Sequence, residues 1–344
     1  MKRPLIILAA VLTALSVRAE QKNVQLLTNM SDLELQRTMN MMRASLGVNC
    51  DFCHVVDEKT GWQFDKDDKK EKKTTREMIG MVLKINKEQF NGRVEVSCWT
   101  CHRGSIHPAS LVSLPTPVPP FPTPKPSRPE LPTLDEVVKK YATALGNVAR
   151  LQKPRKLSGL REAFDGKPVS LYVDESGARW RVRVDLPTGT VEQVVTESGG
   201  WSRDAKGIHD LPASSVEQFR ELAAMTTPPL PSSIPPDARV VGKETILRNM
   251  DTIIVAFRTP DGVRHRLNFN TATGLLARVT TIKETPIGSI PQQTDFEQWQ
   301  DLKGTTFPMK VTTSLVDPWL GSTRQYKDVV LDATIDETEF SKPK

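Results

Sequence analysis

The sequence predicts a multidomain protein: an all-α domain over residues 20–107, a proline-rich linker over 108–132, and an α+β domain over 133–344 built on an antiparallel, half-barrel-like sheet. Three observations carry this. Apolar residues recur at helical spacing before the linker and at every second position after it. Ten of the 25 residues in 108–132 are proline, a composition that favours polyproline II and makes a semi-rigid spacer. A length of 344 residues also suits two domains better than one.

The chain opens with residues that read as an export signal over 1–19. Lys2 and Arg3 form a basic start, residues 5–15 an apolar stretch, and Val17-Arg18-Ala19 a small-x-small cleavage site. An apolar run of that length is too short to span a bilayer, which needs roughly 20 residues. Removing Lys2, Arg3 and Arg18 takes the formal charge from +6 to +3, too weak a field to suggest nucleic acid as a partner. With 38% hydrophobic and 26% charged residues, the chain is neither a polytopic membrane protein nor disordered throughout.

Ser31-Asp32-Leu33-Glu34 then reads as a capping box opening a first helix, with Leu35, Met39, Met42 and Leu46 on one face and Gly47 as its stop. The run 65–73 alternates in sign and reads as a solvated loop or frayed helix start. Thr74-Thr75-Arg76-Glu77 offers a second capping box, followed by Met78, Met81, Val82 and Ile85 on one face of a second helix. Beyond the linker, Thr133 caps a helix through Val137, Val138, Tyr141 and Leu145, and another helix fits 214–225. Strand-like alternation covers 179–184, 190–197, 240–247, 252–258, 263–270, 275–282, 307–314 and 324–331, with Pro260-Asp261-Gly262, Thr273-Gly274 and Lys303-Gly304 as turns of an antiparallel meander.

All four cysteines lie in two identical patterns: Cys50-Asp51-Phe52-Cys53-His54 and Cys98-Trp99-Thr100-Cys101-His102. C-x-x-C-H is the attachment site of c-type haem. Two thiols three positions apart add to the vinyl groups of the porphyrin, and the adjacent imidazole ligates the iron. Two covalent haems c are therefore expected, on Cys50 and Cys53 and on Cys98 and Cys101, with His54 and His102 as proximal ligands. The competing readings fit less well. A dithiol redox site has no need of the histidine, a four-cysteine zinc site usually holds its pairs closer than the 44 residues between Cys53 and Cys98, and structural disulfides would not favour such short loops twice. A methionine-bearing helix precedes each unit. Met39, with Met42 as rival, is the candidate sixth ligand of the first iron, and Met78, with Met81 as rival, that of the second; the competing role for these side chains is filling irregular core gaps. His107, His209 and His265 are assigned no role.

The stretch from about residue 23 to 104 resembles one two-haem half of the photosynthetic reaction centre cytochrome c subunit. The resemblance lies in Arg37-Thr38-Met39, the segment 45–54, Arg76-Glu77-Met78-Ile79-Gly80-Met81 with Ile85-Asn86, and Cys98 to Gly104. It implies Met39 with His54 and Met78 with His102 as iron ligand pairs. The family member carries four haems, whereas four cysteines here suffice for two. In the C-terminal part, the segments 273–279, 294–299 and 304–311 resemble the strand pattern of LolA-type lipoprotein-carrier domains, which implies an apolar concave face for acyl chains or a partner's hydrophobic segment.

The expected function is that of an exported, periplasmic or envelope-associated dihaem c-type cytochrome, an electron carrier rather than an enzyme, exchanging electrons with a redox donor and acceptor. The C-terminal domain would meet a membrane-associated complex, a lipid or a lipoprotein. Two other readings stay open: a dihaem peroxidase or reductase, which needs one open iron position, and a lipid- or partner-binding module whose haems sense or staple.

Overall fold

The computed structural model describes residues 22–112, 114–116, 130–163 and 165–343. The predicted export signal over 1–19 lies outside the described residues, as does most of the predicted linker over 108–132.

Helix α1 (Asp32–Leu46) starts at the predicted box: the Glu34 amide donates to Ser31 Oγ at 3.3 Å and the Ser31 amide to Glu34 Oε2 at 2.8 Å. Two early amides with no partner in the helix are thereby bonded or fixed at its start. Gly47, at φ 68°, ends α1 in the left-handed conformation that glycine adopts without a Cβ penalty. The chain then makes a 3₁₀ turn over Cys50–Phe52 and an antiparallel hairpin of β1 (Val55–Asp57) and β2 (Gly61–Gln63). Helix α2 (Lys70–Gln89) starts inside the charged run, ahead of the predicted Thr74 box. A tertiary contact accounts for the earlier start. Lys72 is buried, its Nζ donating to the Phe64 and Lys66 carbonyls at 2.9 and 2.7 Å and pairing with Asp67 at 2.9 Å. Thr75, expected in the cap, donates instead to the Glu71 carbonyl within the helix. A short helix α3 (Cys98–His102) follows, capped by Ser97 and Thr100.

Helix α4 (Leu134–Leu145) carries the predicted Thr133 cap and buries Val137, Tyr141 and Leu145. A first meander then runs through β3 (Arg155–Ala163), β4 (Pro168–Ser176), β5 (Arg179–Leu186), β6 (Gly189–Thr196), β7 (Gly199–Asp204) and β8 (Gly207–Asp210). Helix α5 (Ala213–Met225) leads to the opposite edge of the sheet. A second meander returns through β9 (Arg239–Ile246), β10 (Met250–Arg258), β11 (Arg264–Asn270), β12 (Leu276–Thr285), β13 (Gly288–Asp301), β14 (Thr306–Leu315) and β15 (Ser322–Leu331). The last strand closes on the first, giving one 13-stranded antiparallel sheet in the order β8-β7-β6-β5-β4-β3-β15-β14-β13-β12-β11-β10-β9.

The main core lies on one face of this sheet. Tyr141 and Leu145 of α4 pack with Leu171, Val184, Val255, Phe296 and Phe307, and the Tyr141 hydroxyl donates to the Pro229 carbonyl at 2.9 Å. Each of these side chains gains about 1.5–3 kcal/mol from leaving water, so the sheet face is what holds α4 in place.

The expected pairing of an all-α dihaem cytochrome c domain with an α+β half-barrel-like domain is corrected on two counts. The hairpin β1–β2 lies among the N-terminal helices, and the 13-stranded sheet dominates the fold and also enters the N-terminal core. Leu27, Met41, Met42, Ile79 and Val82 share one cluster with Ile287 and Ile290, from the tip of the β12–β13 hairpin and from β13. A Cβ at Gly288 would stand 2.7 Å from Met41 Sδ and 3.1 Å from Ser97 Cβ, so the hairpin tip seats closely against α1 and any larger residue would make Met41 shift. The physical reason is a shortage of apolar surface: α1 and α2 turn few apolar residues toward each other, and the sheet supplies the rest. Polar contacts fix the same junction. Arg37 pairs with Glu221 of α5, which also takes Lys283 Nζ at 2.6 Å, and Asn40 Nδ2 donates to Asp317 Oδ2 at 3.1 Å.

Candidate functional site

The two C-x-x-C-H segments are knitted together at the end of α1. The Gly104 amide, just past the second segment, donates to the Ser45 carbonyl at 2.8 Å. A Cβ on Gly47 would overlap the Gly104 carbonyl oxygen and stand 3.0 Å from its carbon, so the backbone leading into the first segment lies directly against the backbone leaving the second. The first segment is tied separately to α2: Cys53 Sγ lies 3.7 Å from Thr75 Oγ1, and Lys69 Nζ donates to the Asp51 carbonyl.

Cys50 and Cys53 flank a single 3₁₀ turn, whereas Cys98 and Cys101 stand one turn apart on α3. None of the four forms a disulfide; Cys50 and Cys101 are exposed and Cys53 and Cys98 half-buried, with Cys98 against the Met41–Ile287 cluster. Burial pushes the Cys50, Cys53 and Cys98 thiols above their ordinary pKa. A dithiol redox site needs the opposite, a thiol pulled down toward thiolate. Among the described residues no three His, Cys, Asp or Glu side chains converge as a metal-ion site, so the two pairs do not form a zinc cage.

The histidines are set differently. His102 Nδ1 lies 3.0 Å from the Ser105 carbonyl, a contact that places the proton on Nδ1 and leaves Nε2 with its lone pair. His54 is half-buried, edge-on to Phe64 with ring centroids 5.1 Å apart, and its buried Nδ1 has no hydrogen-bond partner among the described residues. Burial first, and then the Lys72 charge, hold the His54 imidazole below its ordinary pKa. A neutral imidazole is the form that ligates iron.

The methionines separate into two kinds. Met42 is buried at 6% exposure in the shared cluster with Met41, whereas Met39, Met78 and Met81 are 36, 39 and 44% exposed. Between Met39 and Met42 the structure thus leaves Met39 uncommitted to the core. Met78 and Met81 both point away from it, because α2 buries Lys72, Ile79, Val82 and Asn86 instead of the predicted methionine face. Other large apolar side chains beside the motifs are exposed as well: Val56, Trp62, Phe64, Trp99 and Ile106. Trp62 stacks on Phe64 at 5.4 Å, so the hairpin β1–β2 raises an aromatic wall next to His54. Sequence reasoning missed these aromatics and Thr75; the available signal was their crowding within a few positions of each C-x-x-C-H. Exposed apolar surface concentrated beside the tethering thiols fits an apolar macrocycle laid over it, and on this ground the residues present fit haem.

Comparison with known proteins bears on the same region. Residues 9–119 match the family model of the photosynthetic reaction centre cytochrome C subunit. This stretch of the chain is similar to a cytochrome c family, in agreement with the resemblance read from its motifs. No curated protein sequence matches the chain. Among solved structures, a LolA superfamily protein from Nitrosomonas europaea is similar at 11% identity and a TM-score of 0.39, over 62% of this chain and 99% of its own. A DUF1329 family protein from Desulfovibrio piger is similar at 12% identity and a TM-score of 0.41, over 60% of this chain and 97% of its own. At these scores the two likenesses support no functional argument.

Proposed function

We propose that the protein is an exported dihaem c-type cytochrome that passes electrons singly between redox partners. The observation that carries this reading is two C-x-x-C-H segments held against one another at Gly47 and Gly104, with uncovered apolar and methionine side chains beside both. Haem c, when bound, supplies a one-electron iron couple.

The residues of the chain do the rest. Cys50, Cys53, Cys98 and Cys101 would hold the porphyrin by thioether bonds, so that the cofactor is not lost outside the cell. His54 and His102 would ligate the iron, and the Ser105 carbonyl orients the second ring through Nδ1. Met39 and Met78 complete the two ligand sets, with Met81 the rival to Met78. A thioether sulfur as sixth ligand closes the site to small molecules and raises the potential, which suits transfer rather than catalysis. Trp62, Phe64 and Trp99, exposed beside the two motifs, would shield a bound haem from water. The C-terminal sheet is the part proposed to meet a membrane-associated complex or lipoprotein, a reading supported by the sequence resemblance alone.

The test is a haem stain on a denaturing gel with a pyridine haemochrome count on the exported protein. Two haems per chain are expected; a count well away from two, or a plain apoprotein mass, ends the proposal. Rapid carbon monoxide binding at one reduced haem would turn the reading to a peroxidase or reductase.

A further inference from the structure

A row of paired residues crosses the centre of the sheet on its core face, from β13 to β4: Phe296, Val311, Arg324, Arg161 and Val169. Cross-strand partners project to the same face, so two arginines stand side by side in an otherwise apolar row. Arg161 is only 8% exposed, and among the described residues it has neither a salt bridge nor a partner for Nη1. Arg324 likewise has an Nε without a partner among the described residues, and its Nη1 donates to Thr226 Oγ1 at 3.3 Å, at the end of α5.

The contrast with neighbouring arginines is direct. Arg155, on the same face of β3, is clasped by both oxygens of Glu175 at 2.9 and 2.5 Å and donates to Thr227 at 2.8 Å. Arg278 is clasped in the same way by Asp295. Burial first, and then the Arg324 charge, hold the Arg161 guanidinium below its ordinary pKa, while Asp165 in the exposed β3–β4 turn acts in the other direction. Asp165 makes no bond to the guanidinium among the described residues, and its Oδ1 takes the Lys167 amide at 3.3 Å. Like charges placed opposite each other across strands repel, and a buried charge without a partner is expensive. Water can fill the hydrogen bonds but cannot cancel the charge. A small cavity reaches Arg324 but not Arg161; Thr226, Thr227 and the Arg155–Glu175 ion pair also line it.

We propose that Arg161 and Arg324 form a binding site for one oxyanion group, a carboxylate or phosphate, seated between the sheet and the end of α5. Two planar guanidinium forks match such a group in shape and charge. The site is independent of the haem assignment.

The test uses the full-length haem-loaded protein with three probes, inorganic phosphate, octanoate and octanol, followed by calorimetric titration and thermal melting. Octanoate is expected to bind and raise the melting temperature, octanol to leave it unchanged. Phosphate binding as well would mean a site for the free ion; octanoate alone would mean the head of an amphiphile. Arg161→Gln and Arg324→Gln should each weaken binding at least tenfold. With no anion present, Arg161→Met should melt no lower than the parent, because it removes an uncompensated buried charge. Failure of both anions to bind, equal binding to both glutamine variants, or a lower melting temperature for Arg161→Met would each overturn the proposal.

Discussion

The contact between Gly47 and Gly104 separates two costs that usually arrive together. Both glycines have positive φ, at 68° and 84°, so alanine at either pays the left-handed penalty of about 1–2 kcal/mol. A Cβ on Gly104 meets nothing within 4 Å, whereas one on Gly47 overlaps the Gly104 carbonyl. Relieving that overlap moves the end of α1 away from the second C-x-x-C-H segment and strains the 2.8 Å bond from the Gly104 amide to the Ser45 carbonyl, a bond of net worth about 1 kcal/mol. Gly104→Ala should therefore cost about 1–2 kcal/mol and Gly47→Ala about 2–4 kcal/mol. Urea unfolding of the exported full-length protein, followed by far-ultraviolet circular dichroism, gives both values. Haem content per chain should fall in Gly47→Ala before it falls in Gly104→Ala. Equal destabilisation by the two alanines would refute the claim that these backbones bear on one another.

Three further outcomes follow from the same geometry. Met39→Ala should open the first iron to carbon monoxide on reduction with little loss of stability, while Met42→Ala should leave carbon monoxide binding unchanged and cost about 2–5 kcal/mol as a core truncation; flash photolysis and denaturant melts distinguish them. Ile287→Ala, on the hairpin tip that enters the N-terminal core, should likewise cost about 2–5 kcal/mol and should loosen the Cys98 segment, which limited proteolysis would detect. Asp67 is held far below the usual carboxylate range by Arg76 first, then Asn23 and Lys72. A depressed carboxyl stabilises the fold above its unfolded pKa of about 4 and loses that contribution as pH falls further. The parent should therefore lose more melting temperature between pH 6 and pH 3 (about the span of carboxylate titration) than Asp67→Asn, and parallel curves would contradict this.

Local chemistry explains which elements were legible. Ser31 with Glu34, Gly47, and Thr133 with Glu136 are self-contained capping signals, and α1 and α4 begin where these residues stand. Alternation likewise places most of the second meander close to its observed strands. The start of α2 was not legible, because it depends on Lys72 reaching the Phe64 and Lys66 carbonyls, residues outside the helix. Nor was the face of α2: periodicity marks Met78 and Met81 as apolar, but it does not distinguish an apolar residue facing the core from one left exposed. The hairpin β1–β2 has three-residue strands, too short for alternation to register.

The sequence alone displayed the two motifs, because a thiol pair and its histidine are adjacent along the chain and need no fold to be recognised. The two C-x-x-C-H units, their candidate methionines and the likeness to a cytochrome family belong to that level. Only the tertiary structure decided which methionines remain free of the core, that the two units meet through Gly47 and Gly104, and that the sheet enters the N-terminal core through Ile287 and Gly288. Those contacts join residues that are far apart along the chain. They follow from how much apolar surface each part fails to cover by itself, a balance that no local pattern of residues records.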